Sequence, residues 1–165
     1  MSPTLTIREA SESDLPAVLA LYGHPEIDGP ALRPVGEARE IYRRFQSYPN
    51  YHLFVASIGQ DIVGTFTLLI IDNLAHAGAR SGLVEDVVVS SAHQYQGIGK
   101  QMMRFALERC REAGCYKLAL SSNLKRTAAH QFYESLGFEK HGHSFVVPVD
   151  AGAVASRSSA ERRDG

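Results

Sequence analysis

Residues 83–100 read Leu83-Val84-Glu85-Asp86-Val87-Val88-Val89-Ser90-Ser91-Ala92-His93-Gln94-Tyr95-Gln96-Gly97-Ile98-Gly99-Lys100. The first seven are β-branched or apolar apart from two adjacent acids, which predicts a strand over 83–89. From residue 97 to 113 good helix formers follow, so Gln94–Gly99 is a glycine-bearing loop that opens a helix. The first amides of a helix lack partners inside it, and the helix dipole adds positive potential at the same end. Gly97 and Gly99 carry no Cβ, so a bulky anion can approach the backbone. The stretch reads as a strand leading into a pyrophosphate-binding loop.

Two familiar phosphate loops do not match. The positions that a Walker A loop fills with Gly and with Ser or Thr hold Gln94 and Gln101, and the third small residue of a dinucleotide fingerprint is replaced by Met102. What remains is Gln-x-x-Gly-x-Gly after an apolar strand. A second segment, Ala129-His130-Gln131-Phe132-Tyr133-Glu134-Ser135-Leu136-Gly137-Phe138, follows downstream. The two motifs, in this order and at this distance, resemble the acetyl-CoA loop and the C-terminal signature of the GNAT superfamily of N-acetyltransferases. The resemblance covers roughly residues 3–148 and is closest over 83–140.

The whole chain is compatible with that family. Its 165 residues suit one domain, and 44% hydrophobic content can build a core without metal or disulfide. A net charge of −1 gives no footprint for nucleic acid, and no apolar run approaches the roughly 18–20 residues of a membrane span. The start, Met1-Ser2-Pro3-Thr4, lacks the pattern of a signal peptide, and Cys110 and Cys115 read as reduced thiols, so a cytoplasmic protein is expected. A disulfide between them is disfavoured, because one ends a helix pattern and the other opens a strand.

The expected layout is a single-domain α/β fold. Strand 4–9 comes first, then a helix capped by Ser13 and running to Tyr22 with Pro16 in its first turn. A Pro-rich loop spans 23–34, and a helix spans 35–46 with Ile41 and Phe45 spaced for one face. A hairpin joins 51–58 to 62–71, and a polar loop fills 72–82. Strand 83–89, helix 97–113, strand 116–122, helix 126–136 and strand 143–148 complete it, followed by a disordered tail over 151–165. The resemblance implies a mixed central sheet, splayed at the cofactor site, with helices on both faces, over a domain of residues 1–150.

Amine acetylation by a thioester requires an anchored cofactor, loss of an amine proton, a stabilised oxyanion and a protonated leaving thiolate. The backbone of Gln94, Tyr95, Gln96, Gly97, Ile98 and Gly99 is the expected anchor for acetyl-CoA as cosubstrate, with Lys100 as an added charge. By resemblance, the backbone groups of Val87 and Val89 receive the pantetheine arm, and the N–H near Val87 is the oxyanion donor. Glu85 and Asp86 are adjacent, so alternation sends one to the splayed cleft and the other away. In relatives a glutamate at the Glu85 position takes the amine proton, directly or through water. Burial would suit it to that task by raising its pKa. The alternative is that Glu85 holds a substrate ammonium or forms a structural ion pair. Tyr133 is the family tyrosine and the expected donor to the coenzyme A thiolate; the plain alternative is a packing tyrosine. Phe132, Leu136 and Phe138 read as core.

One departure concerns the residue seven before the tyrosine, an Asn in many members and Arg126 here. Asn123 is the nearby amide and a candidate cofactor contact from a different place. Lys125 and Arg126 are candidates for a 3′-phosphate or an anionic acceptor, with a solvated helix start as the alternative. The seven histidines show no helical His-x3-His pair, so no metal site is assigned.

Two subgroups are resembled. Residues 84–89 with Gly114-Cys115-Tyr116-Lys117 are similar to glucosamine-6-phosphate N-acetyltransferases. Residues 122–133 are similar to aminoalkylphosphonate N-acetyltransferases. The implied reaction is direct attack by a primary amine in a ternary complex. Anionic amines, polyamines and amino acids all stay open as acceptors. Relatives commonly dimerise, which implies a homodimer through loop 72–82 and the last strand. A catalytically idle acyl-CoA-binding or regulatory module is the competing reading.

Overall fold

Strands β2 (Tyr51–Ile58) and β3 (Asp61–Ile71) form a hairpin around Gly59-Gln60. Nearly every residue in the middle of both is buried, as expected where a sheet is covered on both faces. The computed structural model describes residues 4–25, 27, 29 and 31–149. Among these, β1 (Leu5–Glu9), β4 (Arg80–Val89) and β5 (Cys115–Ala119) complete a five-stranded sheet in the order β1-β2-β3-β4-β5. Neighbours are antiparallel except β4 and β5, which are parallel. The helices are α1 (Leu15–Tyr22), α2 (Val35–Phe45), α3 (Ile98–Glu112) and α4 (Thr127–Ser135). The chain divides after Leu120 into two compact units.

In the first unit the sheet carries helices on both faces. Leu53 and Val55 project to one side and pack with Ala10, Leu15, Val18 and Tyr42, which belong to α1, α2 and the turn before them. On the other side Phe105 of α3 meets Phe54 and Phe66 edge-on, with ring centroids 5.1 and 6.4 Å away. A Cβ on Gly82 would collide with the sulfur of Cys110, so glycine lets α3 lie close on β4. The mixed, two-sided α/β layout expected from the sequence is the one found.

Several local expectations are corrected. The cap lies two residues before Ser13, at the start of a 3₁₀ turn over Glu12–Asp14 that leads into α1, where the Ser11 N–H and hydroxyl both donate to Asp14 Oδ2, at 2.7 and 2.9 Å. Helix α2 buries Ala38 and Tyr42, while Ile41 is exposed, because the face follows 38, 42 and 45 rather than 41 and 45. Strand β4 begins at Arg80, so the polar loop ends at residue 79. Residues 143–148 form no strand: Phe145, Val146 and Val147 are exposed and make no sheet pairing among the described residues. Propensity favours a strand there, but a strand needs a neighbour. The tail from 151 to 165 lies outside the described residues.

Cys110 lies within α3 and Cys115 opens β5, and both are free thiols. Burial, with Cys115 beside it, pushes the Cys110 thiol up to about 12.

Candidate functional site

The register of β3 against β4 contains a bulge. Thr67 faces Glu85 and Thr65 faces Val88, so two steps along β3 match three along β4. The extra residue stands at Asp86-Val87, and Asp86 adopts φ 53°, a left-handed conformation that usually takes glycine. The bulge overturns the expected alternation. Glu85 and Asp86 are both exposed instead of one being buried in the cleft. The expectation of a buried Glu85 therefore fails.

The same bulge decides where backbone groups point. The Ser90 N–H donates to Val63 O on β3 at 2.8 Å. Backbone polar groups alternate along a strand, so Val88 also faces β3 while Val87 and Val89 face the opposite edge. On that edge β5 pairs only with Arg80 to Leu83. β5 ends at Ala119, opposite Leu83, so the Val87 and Val89 backbones lie past the end of its pairing. The Val89 carbonyl is met there by the Gln94 side-chain amide, which donates to it at 3.4 Å.

After β4 a single 3₁₀ turn, Ser91–His93, leads to the glycine loop. Tyr95 and Gly97 are left-handed at φ 62° and 81°, and α3 starts at Ile98. The Gln96 side chain donates to Ala92 O at 3.3 Å and ties the loop to the turn. The Gln101 N–H reaches Gly97 O at 3.1 Å, which leaves the amides of Ile98, Gly99 and Lys100 ahead of the helical ladder. A Cβ on Gly97 would meet nothing within 4 Å, so the loop is open at that position. Three amides at a helix N-terminus, an open loop and exposed Lys100 fit a pyrophosphate. The loop residues named from the sequence thus lie together at the start of α3, with Val87 and Val89 on the strand that leads to them.

In the second unit Asn123 organises the turn before α4. Its Oδ1 accepts from the Lys125 N–H at 2.9 Å, and its carbonyl accepts from the Arg126 N–H at 3.0 Å. The amide oxygen is thus engaged locally, whereas Lys125 is exposed. Tyr133 is the buried residue of α4. It packs against Phe132 and Phe138, with ring centroids 5.1 and 5.7 Å away. Phe132, Leu136 and Phe138 are only half-buried, so Tyr133 and not its neighbours anchors this small unit. Burial raises the Tyr133 phenol above its ordinary value, opposed by the Arg126 charge.

Two residues on the face of Glu85 were not legible in the sequence. Thr67 lies directly opposite Glu85, and its Oγ1 donates to Glu85 O at 3.2 Å. Tyr51 stands on the same face one row along, opposite Leu69, which pairs with Leu83. Only strand register joins these positions, and register depends on partners far away in the chain.

The fold and the loop define an α/β protein with a glycine loop at the start of a helix, and comparison with known proteins gives the family. Residues 18–138 match the acetyltransferase (GNAT) family. A glucosamine 6-phosphate N-acetyltransferase of Trypanosoma brucei brucei is 32% identical over 145 residues, covering 83% of this chain and 90% of that protein. An aminoalkylphosphonate N-acetyltransferase of Salmonella typhimurium is 32% identical over 147 residues, covering 87% and 91%. A solved structure described as a transcriptional regulator from Bacillus halodurans C-125 superposes with a TM-score of 0.81 at 31% identity, over 88% of this chain and 99% of that one. The chain belongs to the GNAT family, whose members are acetyl-CoA-dependent acyltransferases. No helix among the described residues is long and apolar enough to cross a membrane.

Proposed function

We propose that this protein transfers the acetyl group of acetyl-CoA to the primary amine of a small acceptor, by direct attack in a ternary complex. The observation that carries this reading is the bulge at Asp86-Val87, which leaves a carboxylate and two outward backbone positions beside a glycine loop built for a pyrophosphate. The amides of residues 94–100 hold the pyrophosphate, and the Val87 and Val89 backbones take the pantetheine arm. The amine nitrogen attacks the thioester carbon; the C–N bond forms, the C–S bond breaks and one amine proton leaves. Glu85 accepts that proton, directly or through water. The Val87 N–H donates to the thioester oxygen as it gains charge. Tyr133 gives its proton to the departing thiolate, a role that rests on the family motif Phe132-Tyr133-x-x-x-Gly137-Phe138. Asn123 and Arg126 are secondary contacts, to the cofactor or to an anionic group of the acceptor.

The two relatives at 32% identity are named for an amino-sugar phosphate and an aminoalkylphosphonate, which favours a small anionic amine as acceptor. We place the protein in the cytoplasm as a homodimer. Fully exposed Leu74 and the exposed Phe145-Val146-Val147 segment are apolar surface suited to contact with a second copy. Sedimentation at micromolar concentration checks the dimer, and a monomer there rejects it. The likeness to a structure described as a transcriptional regulator favours a second reading, an idle acyl-CoA-binding module. Thiol release from acetyl-CoA, assayed over amino-sugar phosphates, aminophosphonates, polyamines and amino acids, separates the two. The proposed enzyme releases thiol with one amine class, and an idle module with none.

A further inference from the structure

Tyr95 stands apart from its neighbours in the glycine loop. Its backbone is left-handed at φ 62°, a conformation that disfavours a residue with a Cβ, and its side chain lies in solvent, 97% exposed. The residues on either side are tied inward. The Gln94 side chain donates to Val89 O at 3.4 Å, and the Gln96 side chain donates to Ala92 O at 3.3 Å. Ahead of them the Ser91–His93 turn is closed by the His93 N–H on Ser90 O, at 2.8 Å. The loop is thus fastened before and after Tyr95, and the ring between the two ties is turned out to water.

This exposure differs from that of the other surface rings. Tyr48, Tyr116 and Phe145 are also exposed, but each lies near another ring: Tyr51 at 6.3 Å, His76 at 4.4 Å and His143 at 6.4 Å. The Tyr95 side chain has no ring contact and no hydrogen bond among the described residues. A large ring that touches nothing, on a backbone that would suit glycine, contributes nothing to the fold. Both of its faces are open to a planar group.

The proposed occupant of the loop carries such a group. In coenzyme A the pyrophosphate joins the pantetheine arm to an adenosine. With the arm at Val87 and Val89 and the pyrophosphate on the amides of 94–100, the adenosine continues past the pyrophosphate on the loop that presents Tyr95. Purines stack on aromatic rings without needing a hydrogen-bond match. We infer that Tyr95 is a binding residue for the adenine of acetyl-CoA: its ring stacks on the face of the purine and fixes the end of the cofactor that the pyrophosphate contacts leave loose. The inference rests on the acetyltransferase reading and deepens it. The ties at Gln94 and Gln96 hold the loop in place beforehand, so little order has to be gained when the base arrives.

The test pairs calorimetric titration with coenzyme A and fluorescence titration with etheno-coenzyme A, whose modified adenine emits and is quenched when an aromatic ring stacks on it. Tyr95→Ala should bind coenzyme A about tenfold more weakly, the usual worth of one base–ring stack. Bound etheno-coenzyme A should be quenched by wild type and by Tyr95→Phe, which keeps the ring, and should stay bright on Tyr95→Ala. Tyr95→Gly suits the left-handed backbone and should melt no lower than wild type. Unchanged coenzyme A affinity in Tyr95→Ala overturns the inference. So does a bound base that wild type leaves bright, equal quenching by wild type and Tyr95→Ala, or a lower melting temperature in Tyr95→Gly, which would give the ring a structural role. In each of these cases coenzyme A still binds and the acetyltransferase reading stands. A wild type that binds no coenzyme A sinks that reading, and the assignment of Tyr95 with it.

Discussion

Two acidic corners of the first unit behave in opposite ways. Asp14 is buried and fully engaged: Arg8 meets it with two guanidinium nitrogens at 2.7 and 2.9 Å, and Ser11 donates its N–H and its hydroxyl. Arg8 and those donors hold the Asp14 carboxyl far below the usual carboxylate range. Glu85 lies exposed on a strand whose backbone is bent by the bulge, and no hydrogen bond or ion pair reaches its carboxylate among the described residues. The tyrosines repeat the contrast. The Tyr42 hydroxyl donates to Ala10 O, whereas no hydrogen bond to the Tyr133 hydroxyl is found among the described residues. A polar group whose bonds are satisfied inside the protein holds the fold; one left with unused capacity is available for chemistry.

The sharpest way to break this contrast is to neutralise each acid in turn. Glu85→Gln should lower kcat/KM about 100-fold, the lower end for loss of a general base, with melting temperature unchanged. The deficit should be largest at low pH, where less free amine exists. Asp14→Asn should do the reverse, costing about 1–3 kcal/mol of stability while kcat holds. A pH–rate profile of Glu85→Gln that overlays wild type would move Glu85 into the structural class.

The tyrosine pair comes next. Tyr133→Phe should cost roughly 10–100-fold in kcat, at or below the low end for a general acid, because a thiol of pKa about 8.5 leaves tolerably well as a thiolate. Acetyl-CoA affinity should barely change. Tyr42→Phe should leave kcat alone and cost about 1 kcal/mol of stability, read by denaturant titration. Full kcat in Tyr133→Phe, when chemistry limits the rate, makes Tyr133 a packing residue.

Acid should expose the committed corner. The folded pKa of Asp14 is depressed, so its contribution is complete above the unfolded value of about 4 and is lost as pH falls from there toward the folded value. Unfolding free energy of wild type should therefore drop more steeply below about pH 4 than that of Asp14→Asn. Parallel curves would show that the Arg8 pair contributes little.

The smallest expected effect is at the glycine loop. Gly97→Val places a β-branched residue at φ 81°, a conformation it resists, and puts bulk into the open loop ahead of α3. Acetyl-CoA affinity should fall about tenfold in a protein that still folds, as a few amide contacts are worth little more. Unchanged affinity in a folded Gly97→Val variant removes the pyrophosphate from this loop.

The anion loop was legible because its signal is local. A strand pattern, two glycines and a run of helix formers fall within one short stretch, and the structure has α3 starting at Ile98 with Gly97 left-handed. The family tyrosine was legible for the same reason. The setting of the acids was not legible: alternation along 83–89 sends one of Glu85 and Asp86 to the cleft and the other away, and the bulge exposes both. Nothing in Val84-Glu85-Asp86-Val87 announces a left-handed aspartate, because the extra residue exists only relative to β3. The segment 143–148 failed the other way, since its β-branched run has the propensity of a strand and no strand to pair with.

By itself, then, the chain determined what depends on neighbours in sequence: the α/β alternation, the glycine loop and the helix N-terminus that follows it. The tertiary structure decided what depends on partners far along the chain. It set the β3–β4 register that makes the bulge, the end of β4–β5 pairing that leaves Val87 and Val89 past β5, and the row that brings Thr67 opposite Glu85. The physical reason is that strand propensity is written residue by residue, whereas register is fixed by the partner strand, and a one-residue slip moves every side chain to the other face.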